Sequence, residues 1–81
     1  MKNSVINREK TGKKISEAIK KKGLNEQMVA QKMHISFQAV YGYTSGKKLP
    51  SANSFCLLAR ILECPVDALI ATNIAKTTPY T

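Results

Sequence analysis

Apolar residues recur at the three- and four-residue spacing of amphipathic helices along most of the chain, in short blocks separated by helix-stopping residues. Thr11 is the predicted cap of the first block, which carries Ile15, Ala18 and Ile19 and closes with Lys20–Lys22, where cations suit the helix dipole. Gly23 stops it by accepting the left-handed conformation. Asn25 caps a second block, with Glu26 in its first turn and Met28, Val29 and Met33 around small Ala30, ending near Lys32 or Met33. His34-Ile35 leaves room only for a tight connection before Ser36 caps a third helix, Phe37 to about Ser45, with Val40 and Tyr43 inward and Gly46 closing it. After the basic loop Lys47-Lys48-Leu49-Pro50, Ser51 caps a fourth helix whose stripe is Phe55, Leu58, Ala59 and Leu62, widened by Cys56, Leu57 and Ile61. Pro65 suits the first position of a short fifth helix, Val66 to about Ile70.

No alternating strand pattern and no internal repeat is present, so the expected architecture is all-α, five short helices. Residues 1–10, with only Val5 and Ile6 apolar, read as a flexible basic arm. Residues 11–70 form the domain, and residues 71–81 form a tail or strand related to dimerisation. A chain of 81 residues makes one small domain, and 43% apolar content is enough for its core. No apolar run is long enough to span a bilayer, and Met1–Arg8 lacks the apolar block of a secretory signal, so the expected compartment is the cytoplasm. Cys56 and Cys64 are expected to fill core space as buried thiols. The sole histidine, His34, is remote from both in sequence, so no metal site is expected. Paired carboxylates and a glycine-rich phosphate loop are absent, and Ser36 has no histidine and aspartate partners. An enzyme, a cofactor and a small-molecule ligand are therefore not expected.

Charge changes the picture most. The formal net charge is +8, and all of it belongs to residues 1–48, where eleven bases face three acids; residues 49–81 are neutral. Such segregation favours a polyanion, nucleic acid above all. A membrane surface would need a broader apolar face than the first helix offers.

The second and third helices, separated by a tight turn, form the arrangement of a helix-turn-helix, with small Ala30 allowing close approach and Val29, Ile35 and Val40 wedged between them. The third helix leaves Phe37, Gln38, Tyr41, Gly42 and Thr44 off the core, and no charge occurs from Ser36 to Gly46. An ordinary solvated face would carry Glu and Lys; this one suits base edges. Gln38 can pair with the N6/N7 edge of adenine. Lys47 and Lys48, just past the helix, are placed for phosphates, and Lys13 and Lys14, with Lys2, Arg8 and Lys10, for the adjacent backbone. Tyr43 is expected in the core.

The run Gly23-Leu24-Asn25-Glu26-Gln27-Met28-Val29-Ala30-Gln31-Lys32-Met33-His34-Ile35-Ser36, then Val40, Tyr43 and Gly46-Lys47-Lys48-Leu49-Pro50-Ser51, resembles the phage Cro/repressor-type helix-turn-helix (Xre) family, over about Thr11 to Ile70. The resemblance implies a five-helix, lambda-repressor-like domain that binds double-stranded DNA as a homodimer on a palindromic operator. It implies base contacts at Phe37, Gln38, Tyr41 and Gly42, and phosphate contacts at Asn25, Glu26, Ser45, Lys47 and Lys48. Ser36 and Thr44, at either end of the third helix, join the phosphate set with Lys13 and Lys14. The chain departs from the family in Asn25-Glu26 for Thr-Gln, His34 for a glycine, and Gly42 for a polar residue. A carboxylate facing phosphate repels, so Glu26 must swing away, pair with a lysine or cap its helix. The functional expectation is a Cro-like repressor; the alternative is an antitoxin-type or protein-interaction module of the same fold. Dimer contacts are expected from Leu57, Ile61, Val66, Leu69, Ile70 and Ile74.

Overall fold

Asn7, rather than Thr11, starts the first helix: its side chain accepts the Lys10 backbone N–H at 2.9 Å, and α1 runs Arg8–Lys21. The computed structural model describes residues 5–72. Three residues assigned to an arm by the sequence pattern thus form the first turn of α1. Asn is as good a cap as Thr, and tertiary structure gives Thr11 other work. It is 1% exposed, its hydroxyl donates to the Ala71 carbonyl at 3.3 Å, and the same oxygen accepts the Ala71 N–H at 3.0 Å. The Asn7 N–H donates to that carbonyl at 2.8 Å, and Ile6 and Thr72 form an isolated antiparallel bridge. The two ends of the described chain are therefore stitched together. Thr11→Val keeps the shape but orphans the Ala71 N–H, so it should cost about 1 kcal/mol, measured by urea unfolding.

The remaining caps follow the sequence. α2 spans Glu26–Met33 with Asn25 accepting from the Met28 N–H, and α3 spans Phe37–Ser45 with Ser36 accepting from the Ala39 N–H. His34 ends α2 in the left-handed region (φ 59°), and Gly46 ends α3 there (φ 83°). α4 spans Ala52–Leu62, capped by Ser51. Glu63 closes α4 in the left-handed conformation (φ 55°), a position with no glycine to announce it. The expected fifth helix is a single 3-10 turn, Val66–Leu69, so the all-α domain has four α-helices among the described residues.

Ile15, Ile19, Val29, Val40, Leu58 and Leu69 are at most 2% exposed and form the centre of the core, joined by Ala30, Met33, Phe55, Ala59 and Leu62. Half-buried Tyr43 packs against it, as expected. Two expectations need correction. Cys56 is exposed and only half-buried Cys64 reaches the core, because α4 buries Phe55, Leu58, Ala59 and Leu62 and turns position 56 outward. Leu69 is fully buried and so is removed from the surface available to a partner. Ile74 lies outside the described residues, as does most of the expected tail.

Lys22 Nζ donates to Glu63 Oε1 across the α1 and α4 termini, and the ammonium holds the Glu63 carboxyl below its usual value of 4.5. A depressed carboxylate pKa contributes stability above the unfolded pKa and loses it as pH falls through the folded one. Glu63→Gln should therefore flatten the dependence of the melting temperature on pH below about 4.5, with a small amplitude because the pair is exposed.

Candidate nucleic-acid interface

Packing of α2 against α3 turns one arc of α3 outward. At 100° per residue Phe37, Tyr41, Ser45 and Gln38 fall within about 100° of one another, opposite Ala39, Val40 and Tyr43. All four are exposed. Phe37 and Tyr41, one turn apart, are 49% and 51% exposed, and their rings stack with centroids 6.1 Å apart and planes inclined by 19°. Two aromatic rings half in water on one helix are a poor solvated surface, since large exposed apolar patches mark interaction sites. The stack holds both rings in one orientation beside Gln38.

Gly42 does not lie on this surface. It is buried under the Lys48 stem, whose carbons lie 3.5–3.7 Å from where a Cβ would be. Its carbonyl accepts the N–H groups of Lys47 and Lys48, each at 3.0 Å, and the Ser45 hydroxyl at 3.3 Å. The basic loop folds back over the end of α3, and a Cβ at Gly42 would meet the Lys48 stem at ordinary van der Waals distance. That loop leaves Lys47 and Lys48 exposed, with the Lys48 stem against Gly42, the residue after Tyr41 and one turn beyond Gln38.

Glu26 and Thr44, both expected at phosphates, meet each other instead. The Thr44 hydroxyl donates to Glu26 Oε2 at 3.2 Å, with the Tyr41 carbonyl 3.3 Å away as a second acceptor, and both side chains are half-buried. Asn25 and Ser36 keep exposed positions while their side chains cap α2 and α3. Lys13 is exposed on α1. Lys14 points to the other flank of the domain, where Nζ donates to the Ile70 carbonyl at 3.2 Å.

The structure fixes the place of Arg8, expected only near the adjacent backbone, and adds Gly12, which the helix pattern misses. Arg8 is brought to the α3–α4 loop, with Nη1 3.5 Å from the Lys47 carbonyl. Gly12 sits against the end of α3: a Cβ there would be 2.7 Å from the Tyr43 oxygen, 2.8 Å from the Thr44 oxygen and 2.9 Å from the Gly46 nitrogen. Asn7 followed by Glu9 was the available signal for an earlier helix start; nothing local marks Gly12 as a close approach. Among the described residues no group of three His, Cys, Asp or Glu side chains could hold a metal ion, and no helix is long and apolar enough to cross a membrane.

A family profile described as helix-turn-helix matches residues 15–69, from the middle of α1 through the 3-10 turn. The chain belongs to the helix-turn-helix family of the Cro/repressor (Xre) type. It is accordingly a DNA-binding transcriptional regulator of the Xre type, not an enzyme. Among solved structures it is similar to the restriction-modification controller protein C.AhdI from Aeromonas hydrophila, at 24% identity and a TM-score of 0.71, over 75% of this chain and 92% of that one. That likeness concerns the fold. No curated protein matches the chain significantly. Within this Xre-type chain, the family's glycine at the turn is replaced by His34 at φ 59°, a conformation that histidine adopts more readily than most residues.

Proposed function

We propose that this regulator reads double-stranded DNA by seating α3 in the major groove, as a homodimer on a palindromic operator, and represses by occlusion in the manner of a Cro protein. The observation that carries this is the uncharged, outward arc of Phe37, Gln38 and Tyr41, with Lys47 and Lys48 exposed in the loop after it. A helix that enters the groove uses its first residues on base edges, while the chain around it meets phosphates. Gln38, at the second position of α3, pairs with adenine, and the stacked rings of Phe37 and Tyr41 present an apolar surface to thymine methyls. Lys47, Lys48, Arg8, Asn25 and Ser45 face the backbone. Ser36 caps α3 at the same end, with its hydroxyl oxygen engaged.

Glu26 is tolerated near a phosphate because Thr44 draws its carboxylate onto the protein. Gly42 contributes no side-chain contact, and the Lys48 stem lies over it. A single domain offers a small interface, so two copies on half-sites about 34 Å apart supply the specificity. Leu57 (37% exposed), with half-buried Ile61, Val66 and Ile70, supplies the apolar surface for pairing.

Selection of bound sites from random duplex DNA tests the reading. The expected product is an inverted repeat with half-sites one helical turn apart; a pool with no enriched sequence would overturn it. Gln38→Ala should then lower the preference for the selected site over scrambled DNA about tenfold, within the ~1–3 kcal/mol that one bidentate base contact supplies. Unchanged discrimination would remove Gln38 from base reading.

A further inference from the structure

α1 carries a second cationic surface that the α3 reading does not use. Lys10, Lys13, Lys14, Lys20 and Lys21 are all exposed, and at 100° per residue they occupy an arc of about 120° along about 16 Å of helix. Glu17 is the one carboxylate inside that arc, and Glu9 lies at its edge. Among the described residues the only ion pair joins Lys22 to Glu63, so Glu17 is locked to no single lysine and the five lysines keep an excess of positive charge over it. Lys14 spends one proton on the Ile70 carbonyl, which leaves its charge in place.

The stripe does not face the same way as the contact with α3. Gly12, which touches the end of α3, is about 140° around the helix from the stripe's centre. A straight duplex seated on α3 therefore passes the N-terminal end of α1 and misses Lys20 and Lys21. The stripe begins at the N-terminal end of α1, the end that Arg8 ties to the operator-facing loop through the Lys47 carbonyl, with Arg8 itself about 180° around the helix from the stripe's centre. Duplex turning round that end of α1 would meet Lys10 first and then follow the stripe to Lys21.

We infer that the α1 lysine stripe is a second DNA-backbone surface, occupied by duplex flanking the operator when that duplex bends onto the side of the domain. The partner is a phosphate backbone because the arc offers charge and nothing else. Every exposed position on it is charged, whereas protein partners are held mainly by buried aromatic and apolar anchors. A lysine array binds phosphates without regard to sequence and releases counterions in proportion to the contacts made. Bending DNA costs energy that such extra contacts repay.

The inference uses the operator reading for the place where the flanks begin, and the test separates the two. Binding of the intact chain is titrated against salt on a duplex ending at the selected site, and on one extended by about 20 bp on each side. The variant Lys20→Gln/Lys21→Gln, its fold verified by its melting temperature, is measured beside it. The wild type should show a steeper log–log slope on the long duplex, and the variant should lose that increment by about 0.9 per contact removed, with the short duplex unaffected. Equal slopes on both lengths for the wild type, or an increment retained by the variant, would overturn the inference. Capture of a second short duplex by the complex already formed on a short one would overturn the flank assignment in favour of bridging. Failure to distinguish operator from scrambled DNA on the short duplex strikes the α3 reading alone.

Discussion

Replacing Lys47 with alanine and Lys48 with methionine should weaken binding to duplex DNA of every sequence by roughly a thousandfold at about 0.15 M salt, while leaving the preference for the operator intact. The two lysines make four phosphate contacts in the proposed dimer. Each contact contributes about 0.9 to the log–log salt slope, so the slope should fall by about 3.6, which yields the thousandfold figure when referred to 1 M salt. Methionine is chosen at position 48 because the Lys48 stem covers Gly42. It keeps the apolar cover and removes only the ammonium. A salt slope equal to that of the parent would take both residues out of the interface. The contrast with Gln38→Ala is the diagnostic part: one change acts on all sequences alike, the other on the difference between sequences.

Gly12→Ala should unfold the domain well below the wild-type temperature, although alanine is the better helix former by about 1 kcal/mol. A methyl at this position would lie under 3.0 Å from three backbone atoms at the end of α3. None of these is the end of a flexible side chain, so α1 and α3 must move apart. Overpacking of this kind costs about 1–3 kcal/mol, and contact with backbone puts it at the upper end. The expected net loss is about 2 kcal/mol, or a fall in melting temperature of about 8–16 °C for a domain of this size. A rise in melting temperature would show that helix propensity outweighs the contact and that α1 and α3 are not held at this distance. Partial loss of DNA binding should accompany the change, since Gly46 and the loop that carries Lys47 are seated on the same part of α1, with the Gly46 Cβ position 2.9 Å from the Glu9 Cα.

The first four helices, three of the caps, the tight turn at His34 and the aromatic face were all legible in the chain because each depends on short-range chemistry. An Asn or Ser ahead of an apolar stripe satisfies its own helix's N–H groups, and a run from Ser36 to Gly46 without charge announces itself in any structural context. The errors share a cause as well. Thr11 looked like a cap because its hydroxyl can serve one, but the Ala71 backbone, distant in the chain, claims that hydroxyl. Gly42 seemed to face outward by helix angle, and only the return of the Lys48 stem buries it. Cys56 looked internal within an almost continuous apolar face, until the packing of α4 chose which part of that face to bury.

By itself, then, the amino-acid order determined a basic all-α helix-turn-helix chain and which helix presents neutral side chains, since periodicity, capping and charge are properties of neighbours. The tertiary structure alone decided that Glu26 turns to Thr44, that Gly12 must be a glycine, and that Arg8 joins the loop lysines. Those outcomes depend on distances between segments far apart in the chain, and no local preference encodes them.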